Sequence, residues 1–584
     1  MEEQNYWKRL SRKRFSRRAM LGTTATTALG GAAAFVVGCG GGDDDNGGPN
    51  GSNGPTRTTP SSPTPGGTIT QGRLLSVLGI DPHIDLTGLD IDLLLYPYLY
   101  NWAPGREEAV FNNFAEALEL PSPTEFIFTL RPGVKNSPIG PAADQELTSE
   151  DVKQSFIRRG TSITAPDKRF AFKIAGGAGA ELLAPALITP DPYTFSFNMS
   201  EPFVPGVREM ANPTWAMVSK VVMERYLYLS QDAFGAGPFM LDEFRGNERV
   251  VMTRNPNYFI KDRPYLDGIT YIVITESSSL LSAFTTGQHD VNGAILTRDQ
   301  YEEFRDDGDF SVATAPSLFY PVVHLKMRPP FDDIKVREAM DLAINREEMI
   351  NNIQSGEGQF NGPIQWPQLK WALPQDELRD FYQYDTARAK TLLAEAGYPD
   401  GFNSRLKLPK ISGASFIADT AVLLKDQLGQ VGINIEIDEV ELGAFIGSTL
   451  LPGNFDMAFF PNLPYDEPDR PLAFYHSKGV TGTGNWNSYS NPELDALIDA
   501  QAREFDEEKR IEIVQAAQRL ILPEHGPQIT LTGGFQYSAR WNYVHFPFEI
   551  DGQLDPTVLV EDGAQYAVES GSAPFGAEIW TEKV

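Results

Sequence analysis

Apolar and polar positions fall into clear periods along this chain, but only from about residue 66 onward. Phe126-Ile127-Phe128-Thr129-Leu130 alternates with a period of two, which predicts a strand turned by Arg131-Pro132-Gly133. Thr68-Ile69-Thr70 and residues 74–78 also read as strand, and the apolar run over residues 93–100 reads as helix. Thr148-Ser149-Glu150-Asp151 has the form of an N-cap followed by an acidic third position. It opens a helix carrying Val152, Phe156 and Ile157 on one face. Asp385 caps a second helix, with Ala389, Leu392, Leu393 and Ala396 inward and Gly397 then Pro399 as its stop. Asn491-Pro492 supplies a cap and a first-turn proline for a third, with Leu494, Leu497 and Ile498 on one face. Residues 431–437 alternate as a strand. Helix and strand patterns thus follow each other, which predicts an α/β chain.

Before residue 66 the pattern is different. Residues 40–65, GGGDDDNGGPNGSNGPTRTTPSSPTP, hold no apolar side chain to bury, so they read as a disordered leash. Such a coil reaches roughly 25–30 Å. Residues 1–38 are tripartite: a basic start (Lys8, Arg9, Arg12, Lys13, Arg14, Arg17, Arg18), a mildly apolar stretch over 19–37, and the small Gly38. This is the layout of a secretory signal, too weakly apolar for a comfortable membrane span. Ser16-Arg17-Arg18-Ala19-Met20-Leu21 is similar to a twin-arginine export motif, with Ala19 as a departure. Cys39, the single cysteine, follows directly and is the expected site of cleavage and lipidation. Two acyl chains would give stable anchoring at roughly 0.8 kcal/mol per buried CH₂.

Charge narrows the function. The chain has 49 Lys and Arg against 78 Asp and Glu, a net −29. Setting aside the 7 cations and 2 carboxylates of residues 1–38 leaves −34. A surface this acidic argues against nucleic acid as a partner, because binding phosphates needs a cationic patch. The roughly 520 residues beyond the leash exceed a single core and imply two or three lobes. Enzyme signatures do not occur: no G-x-S-x-G, no H-E-x-x-H, no phosphate loop before Lys-Ser/Thr. The six histidines, at 83, 289, 324, 476, 525 and 545, lack metal-ligand spacing. Neither catalysis, cofactor nor metal is expected.

An ordered series of motifs carries a resemblance. It runs through Gly66-Gly67-Thr68, Asp81-Pro82, Phe114-Ala115-Glu116-Ala117 and Phe128-Thr129-Leu130-Arg131-Pro132-Gly133-Val134-Lys135. Leu147-Thr148-Ser149-Glu150-Asp151-Val152-Lys153-Gln154-Ser155-Phe156 follows, then Gly235-Ala236-Gly237-Pro238-Phe239, Arg254-Asn255-Pro256-Asn257-Tyr258-Phe259 and Pro264-Tyr265-Leu266-Asp267. Pro329-Pro330-Phe331-Asp332-Asp333, Ala394-Glu395-Ala396-Gly397-Tyr398-Pro399 and Tyr489-Ser490-Asn491-Pro492-Glu493-Leu494 complete it. The chain resembles the extracytoplasmic solute-binding proteins of peptide/nickel-type ABC transporters, family 5. The resemblance implies an α/β, periplasmic-binding-protein-like fold: two lobes, a hinge, and an extra subdomain inserted in the first lobe. Mapped on this sequence, lobe I takes 66–98, 232–314 and 528–584, the insert 99–231 and lobe II 315–527. It further implies a monomer held at the cell envelope by its lipid anchor, on the periplasmic or extracellular face. This monomer would capture a peptide-like or other small solute and deliver it to an ABC permease. The alternative is a surface sensor or structural receptor on the same fold, without a transport role.

The solute site is expected among aromatic and polar residues of the second half: Trp371, Phe460, Asn462, Tyr465, Asp466 and Trp486. In peptide-binding relatives, the loop after Asp456-Met457-Ala458 carries a tryptophan and, three residues on, an aspartate that pairs with the ligand's ammonium. Here those positions hold Pro461 and Pro464, so an ordinary oligopeptide is disfavoured. Oligosaccharides, opine- or polyamine-like solutes, metal chelates and unusual peptides stay open. Leu325 stands where many relatives have Asn. His324 is either a ligand contact or a sheet-edge histidine and reads as the second; His476, the histidine placed near that loop for a nickel or haem ligand, reads as a surface one.

Overall fold

The computed structural model describes residues 63–583 apart from 86, 103–108, 111–112, 163–168, 177–179, 318–320, 366–369, 412–414, 461–466, 479–484, 547–548, 551–552 and 555–575. The export segment, Cys39 and the leash up to residue 62 lie outside the described residues, as do Asn462, Tyr465 and Asp466.

Three sheets organise the chain. The first is ordered Thr68–Arg73, Gly268–Val273, Arg249–Arg254, Phe239–Arg245, its first pair parallel and the others antiparallel. Val291 bridges Gln71 to Arg540, which joins the antiparallel pair Phe310–Pro316 and Phe535–Trp541 to that sheet. Thr68–Arg73 stops where its partner stops, at Arg73 opposite Val273. Residues 74–78, read above as strand, therefore continue as loop. Val77 N–H turns to the Gly246 carbonyl, Leu78 N–H turns to Thr87 Oγ1, and the Leu78 side chain is 71% exposed. The helix read over 93–100 is instead Leu89–Leu95. Pro97 disfavours helical backbone at the residue before it, and Tyr96 is extended at φ −120° and ψ 151°.

The second sheet is antiparallel and follows directly from the sequence alternation. Its order is Ala115–Ser122, Glu125–Leu130, Thr194–Asn198, Leu187–Asp191. Phe126 sits opposite Phe197 and Phe128 opposite Phe195, so one face is paved with four phenylalanines. The helix Ser149–Thr161 covers them with Phe156, whose ring lies 4.9 Å from both Phe195 and Trp215. Its start matches the sequence reading: Asp151 Oδ2 accepts the Thr148 N–H at 2.7 Å.

An ion pair on a buried carboxylate helps fasten this subdomain to the first sheet's lobe. Arg158, on the same helix, grips Asp81 with both terminal nitrogens. Asp81 also accepts N–H groups from His83 and Leu229. His83 donates from Nε2 to the Ala216 carbonyl at 2.8 Å and accepts Arg158 at Nδ1 at 2.9 Å. Burial first, then the Arg158 charge, hold the His83 imidazole down to about 3, so it is neutral and its tautomer is fixed.

The third sheet runs Ile433–Glu441, Phe402–Lys410, Met457–Phe459, Val322–Leu325, Gln528–Thr530. Val323, Leu325, Leu406, Leu408, Ile433, Met457 and Ile529 form its buried side, with the helices Ile334–Ala343, Thr386–Glu395 and Ser415–Gly429 packed on them. Gln528–Thr530, assigned above to lobe I, pairs with Val322–His324 in this sheet. The chain thus crosses from the first lobe between Pro316 and Val322 and returns between Thr530 and Phe535. The crossings lie side by side: Ser317 N–H donates to the Gly534 carbonyl and Leu531 N–H to that of Pro321. Among the described residues, no helix is long and apolar enough to cross a membrane.

Candidate functional site

The place where two lobes meet beside their crossings is where a solute can be enclosed. Phe460 lies there. It leaves the strand Met457–Phe459 with its N–H on the Val322 carbonyl at 3.1 Å, next to the outgoing crossing. Its ring, partly exposed, stacks on Phe445 with centroids 5.7 Å apart. Phe460 is the last described residue before 461–466.

From Glu467 onward the described chain is held by a polar network. Arg510, 5% exposed, grips the Glu467 carboxylate with both terminal nitrogens. Arg510 Nε donates to the Gln501 carbonyl at 3.0 Å, and Gln501 Nε2 donates to Asp469 Oδ1 at 2.7 Å. Trp371 lies against the same arginine, with the guanidinium 5.1 Å from its ring centroid and the Lys370 ammonium at 5.0 Å. A charge over an aromatic face is favourable, and the ring is partly exposed. Trp371 and Phe460 both pack on one aromatic cluster that includes Phe445, Phe455, Phe474, Tyr475 and Trp486.

Trp486 is placed differently. Its ring is 9% exposed, packed on His324 and Phe474 at 5.5 and 5.3 Å. The neighbouring asparagines draw it inward. Asn485 Nδ2 donates to the carbonyls of Ser477 and Tyr489, and Asn487 Nδ2 to those of Leu325 and Pro527. Trp486 therefore belongs to the second lobe's interior. His324 is not at a sheet edge, because its strand has neighbours on both sides, Ala458 and Gln528. Burial holds its imidazole down to about 4, and it is neutral. His476 is not on the surface either. It is 9% exposed and lies 3.7 Å from Asp495 and 3.6 Å from Asp499. Among the described residues, no group of three His, Cys, Asp or Glu side chains is placed to hold a metal ion.

A second buried network sits under the return crossing and had no signal in the sequence. Arg346 is fully buried. It donates to Asp341 Oδ1 at 2.7 Å and to the Thr530 carbonyl at 2.8 Å, and lies 3.8 Å from the Tyr382 ring centroid. His525 Nδ1 meets the other Asp341 oxygen at 2.7 Å. Thr530 ends the strand that precedes the return crossing, so these groups brace the second lobe close to it. Of the site residues expected from sequence, the structure brings Trp371, Phe460 and Trp486 to one cluster, with only the first two on its open side.

Comparison with known proteins agrees with this architecture. Residues 112–485 match the model of the bacterial extracellular solute-binding proteins, family 5 Middle. The probable D,D-dipeptide-binding periplasmic protein DdpA of Escherichia coli K12 is 25% identical over 410 residues, covering 68% of this chain and 74% of that protein. The solved structure of the Bacillus subtilis oligopeptide-binding protein AppA with a nonapeptide superposes with a TM-score of 0.72 at 20% identity, covering 89% of this chain and 100% of that one. AgaA from A. tumefaciens R10, in complex with agropinic acid, gives 0.72 at 21%, covering 88% and 99%. The fold is α/β and of the periplasmic-binding type, two lobes on a hinge with a subdomain inserted in the first. This chain belongs to the bacterial extracellular solute-binding proteins, family 5.

Proposed function

We propose that the chain is the substrate-binding component of an ABC importer, tethered to the membrane through Cys39, which captures a small solute between its lobes and delivers it to a permease. The observation that carries this reading is a family 5 chain in which Phe460, partly exposed, stands next to the outgoing crossing between the lobes. The chemistry asked of the protein is enclosure alone: aromatic faces shed water as the lobes approach, and the solute favours the closed form by its extra contacts. Trp371, Phe460, Asn462, Tyr465 and Asp466 are the residues we assign to the solute.

Relatives in this fold are solved with a nonapeptide and with agropinic acid, so the scaffold accommodates chemically different solutes. Pro464 offers no carboxylate to an α-ammonium, which turns the expectation away from ordinary oligopeptides. Native mass spectrometry of protein purified from its own host tests the reading. A stoichiometric co-purifying solute that rebinds saturably and contracts the protein in solution scattering supports it. Chemical turnover of that solute would overturn it.

A further inference from the structure

The inserted subdomain and the second lobe touch at a place separate from the two crossings. Val204 N–H donates to the Ala502 carbonyl at 2.8 Å. Arg503 donates to Glu201 Oε2 from Nε at 2.9 Å and from Nη2 at 2.8 Å. Lys173, from the insert's own helix Arg169–Ala175, holds the other Glu201 oxygen. Ala502 is 9% exposed and packs in the insert's core with Phe203 and Val204, and Phe505 packs against that core. One backbone hydrogen bond, one double-donor ion pair and an apolar plug thus join bodies whose only covalent links are elsewhere.

The two halves of this contact are each held firmly. On one side the insert is fixed to the first lobe through Arg158, Asp81 and His83, so Glu201 and Val204 move with that lobe. On the other side, Ala502 and Arg503 end the helix Pro492–Arg503. The residue before them is Gln501, whose carbonyl and Oε1 both accept Arg510. That same Arg510 grips Glu467, directly after residues 461–466.

We propose that Glu201, Val204, Ala502 and Arg503 form a latch that stabilises the closed arrangement of the lobes and keeps it populated beside the open one in the solute-free protein. Arg510 sets the latch by joining Glu467 to Gln501, the residue before Ala502. Opening of the hinge separates the insert from the second lobe and breaks these contacts together. The latch makes the closed form accessible before solute arrives, and a shift of Glu467 is felt at Arg503 through Arg510 and Gln501. The Arg510 half rests on the solute-site reading above; the latch itself does not.

The test uses solute-free protein. With Cys39→Ser, cysteines at the exposed positions Ile188 of the insert and Val422 of the second lobe carry spin labels. Pulsed-EPR distances then report the open and closed populations. Arg503→Glu should raise the open-to-closed ratio by about fivefold or more, since a half-exposed pair contributes up to about 1 kcal/mol and reversal adds repulsion. Glu201→Gln should move it in the same direction, and Arg503→Lys should stay near wild type. Arg510→Gln should open the protein with the latch residues untouched. A distance distribution unchanged in both Arg503→Glu and Glu201→Gln, with melting also unchanged, would refute the latch. A shift in those two and none in Arg510→Gln would refute only its control by Arg510. Neither result bears on whether a solute is bound and delivered, which native mass spectrometry decides separately.

Discussion

Replacing Arg158 with Met should loosen the first lobe more than any surface change, and the structure fixes how much. Asp81 has a side chain with 0% exposure, and Arg158 is 17% exposed. The carboxylate accepts two bonds from Arg158 and two from backbone N–H groups. Met keeps most of the stem's packing and removes the charge, leaving Asp81 buried with the two backbone donors alone. Breaking a buried pair from one side costs about 3–5 kcal/mol. For a unit of 150–250 residues this is a fall in the melting midpoint of roughly 6–20 °C.

The pH dependence gives an independent check. Burial alone would raise the Asp81 carboxyl, but the hydrogen bond and charge of Arg158 outweigh it and hold it below the usual range. A depressed carboxyl adds stability above its unfolded value, near 4, and loses it as pH falls through the folded value. The deficit of Arg158→Met is therefore expected in full at pH 7 and should shrink as the pH approaches 3. Scanning calorimetry of the Cys39→Ser protein at pH 3, 5 and 7 measures it. Asp81→Asn with Arg158→Met removes both charges and should recover part of the loss. A fall below about 3 °C at pH 7, a pH-independent deficit, or a double variant no more stable than Arg158→Met would refute the argument.

Other outcomes follow from single sites. Asp92 is wholly buried, and its carboxylate oxygens have no hydrogen-bond partner among the described residues. Burial, then the nearby Asp81, Asp90 and Asp85, push it well above the ordinary range. A raised acid adds stability at low pH and loses it as pH climbs toward the folded value, so Asp92→Leu should flatten the decline in melting temperature between pH 5 and 8. Arg346→Met should cost the second lobe about 3–5 kcal/mol in urea unfolding, because Asp341 and the Thr530 carbonyl lose a buried donor. Phe460→Ala should weaken solute binding by about 1–3 kcal/mol in calorimetric titration while the second lobe's melting falls little, since the ring is only partly buried against Phe445. Cys39→Ser should release the protein from membranes on fractionation with solute affinity unchanged.

Local sequence determined a good deal here. The phenylalanine alternation at 126–130 and the caps at Thr148, Asp385 and Asn491 are rules within a few residues, and each element stands where its pattern put it. The ordered motifs carried the family. One local reading failed where a neighbour in space decided, since residues 74–78 have strand composition but no strand beside them; another failed on a rule within the sequence, because Pro97 cut a helix that apolar content favoured.

The site was legible only in part. Phe460 and Trp371 stand on the open side of one cluster, whereas Trp486, in a polar and turn-rich stretch, was drawn inside by Asn485 and Asn487. The groups that hold the lobes had no signature at all. Arg158 meets Asp81 across 77 positions, Arg510 meets Glu467 across 43, and Arg503 meets Glu201 across 302. Sequence settles what a residue does with its near neighbours, through periodicity, capping and turn chemistry. Which distant charges share one buried space is set by how the lobes pack, because the low dielectric that makes such pairs matter exists only after folding.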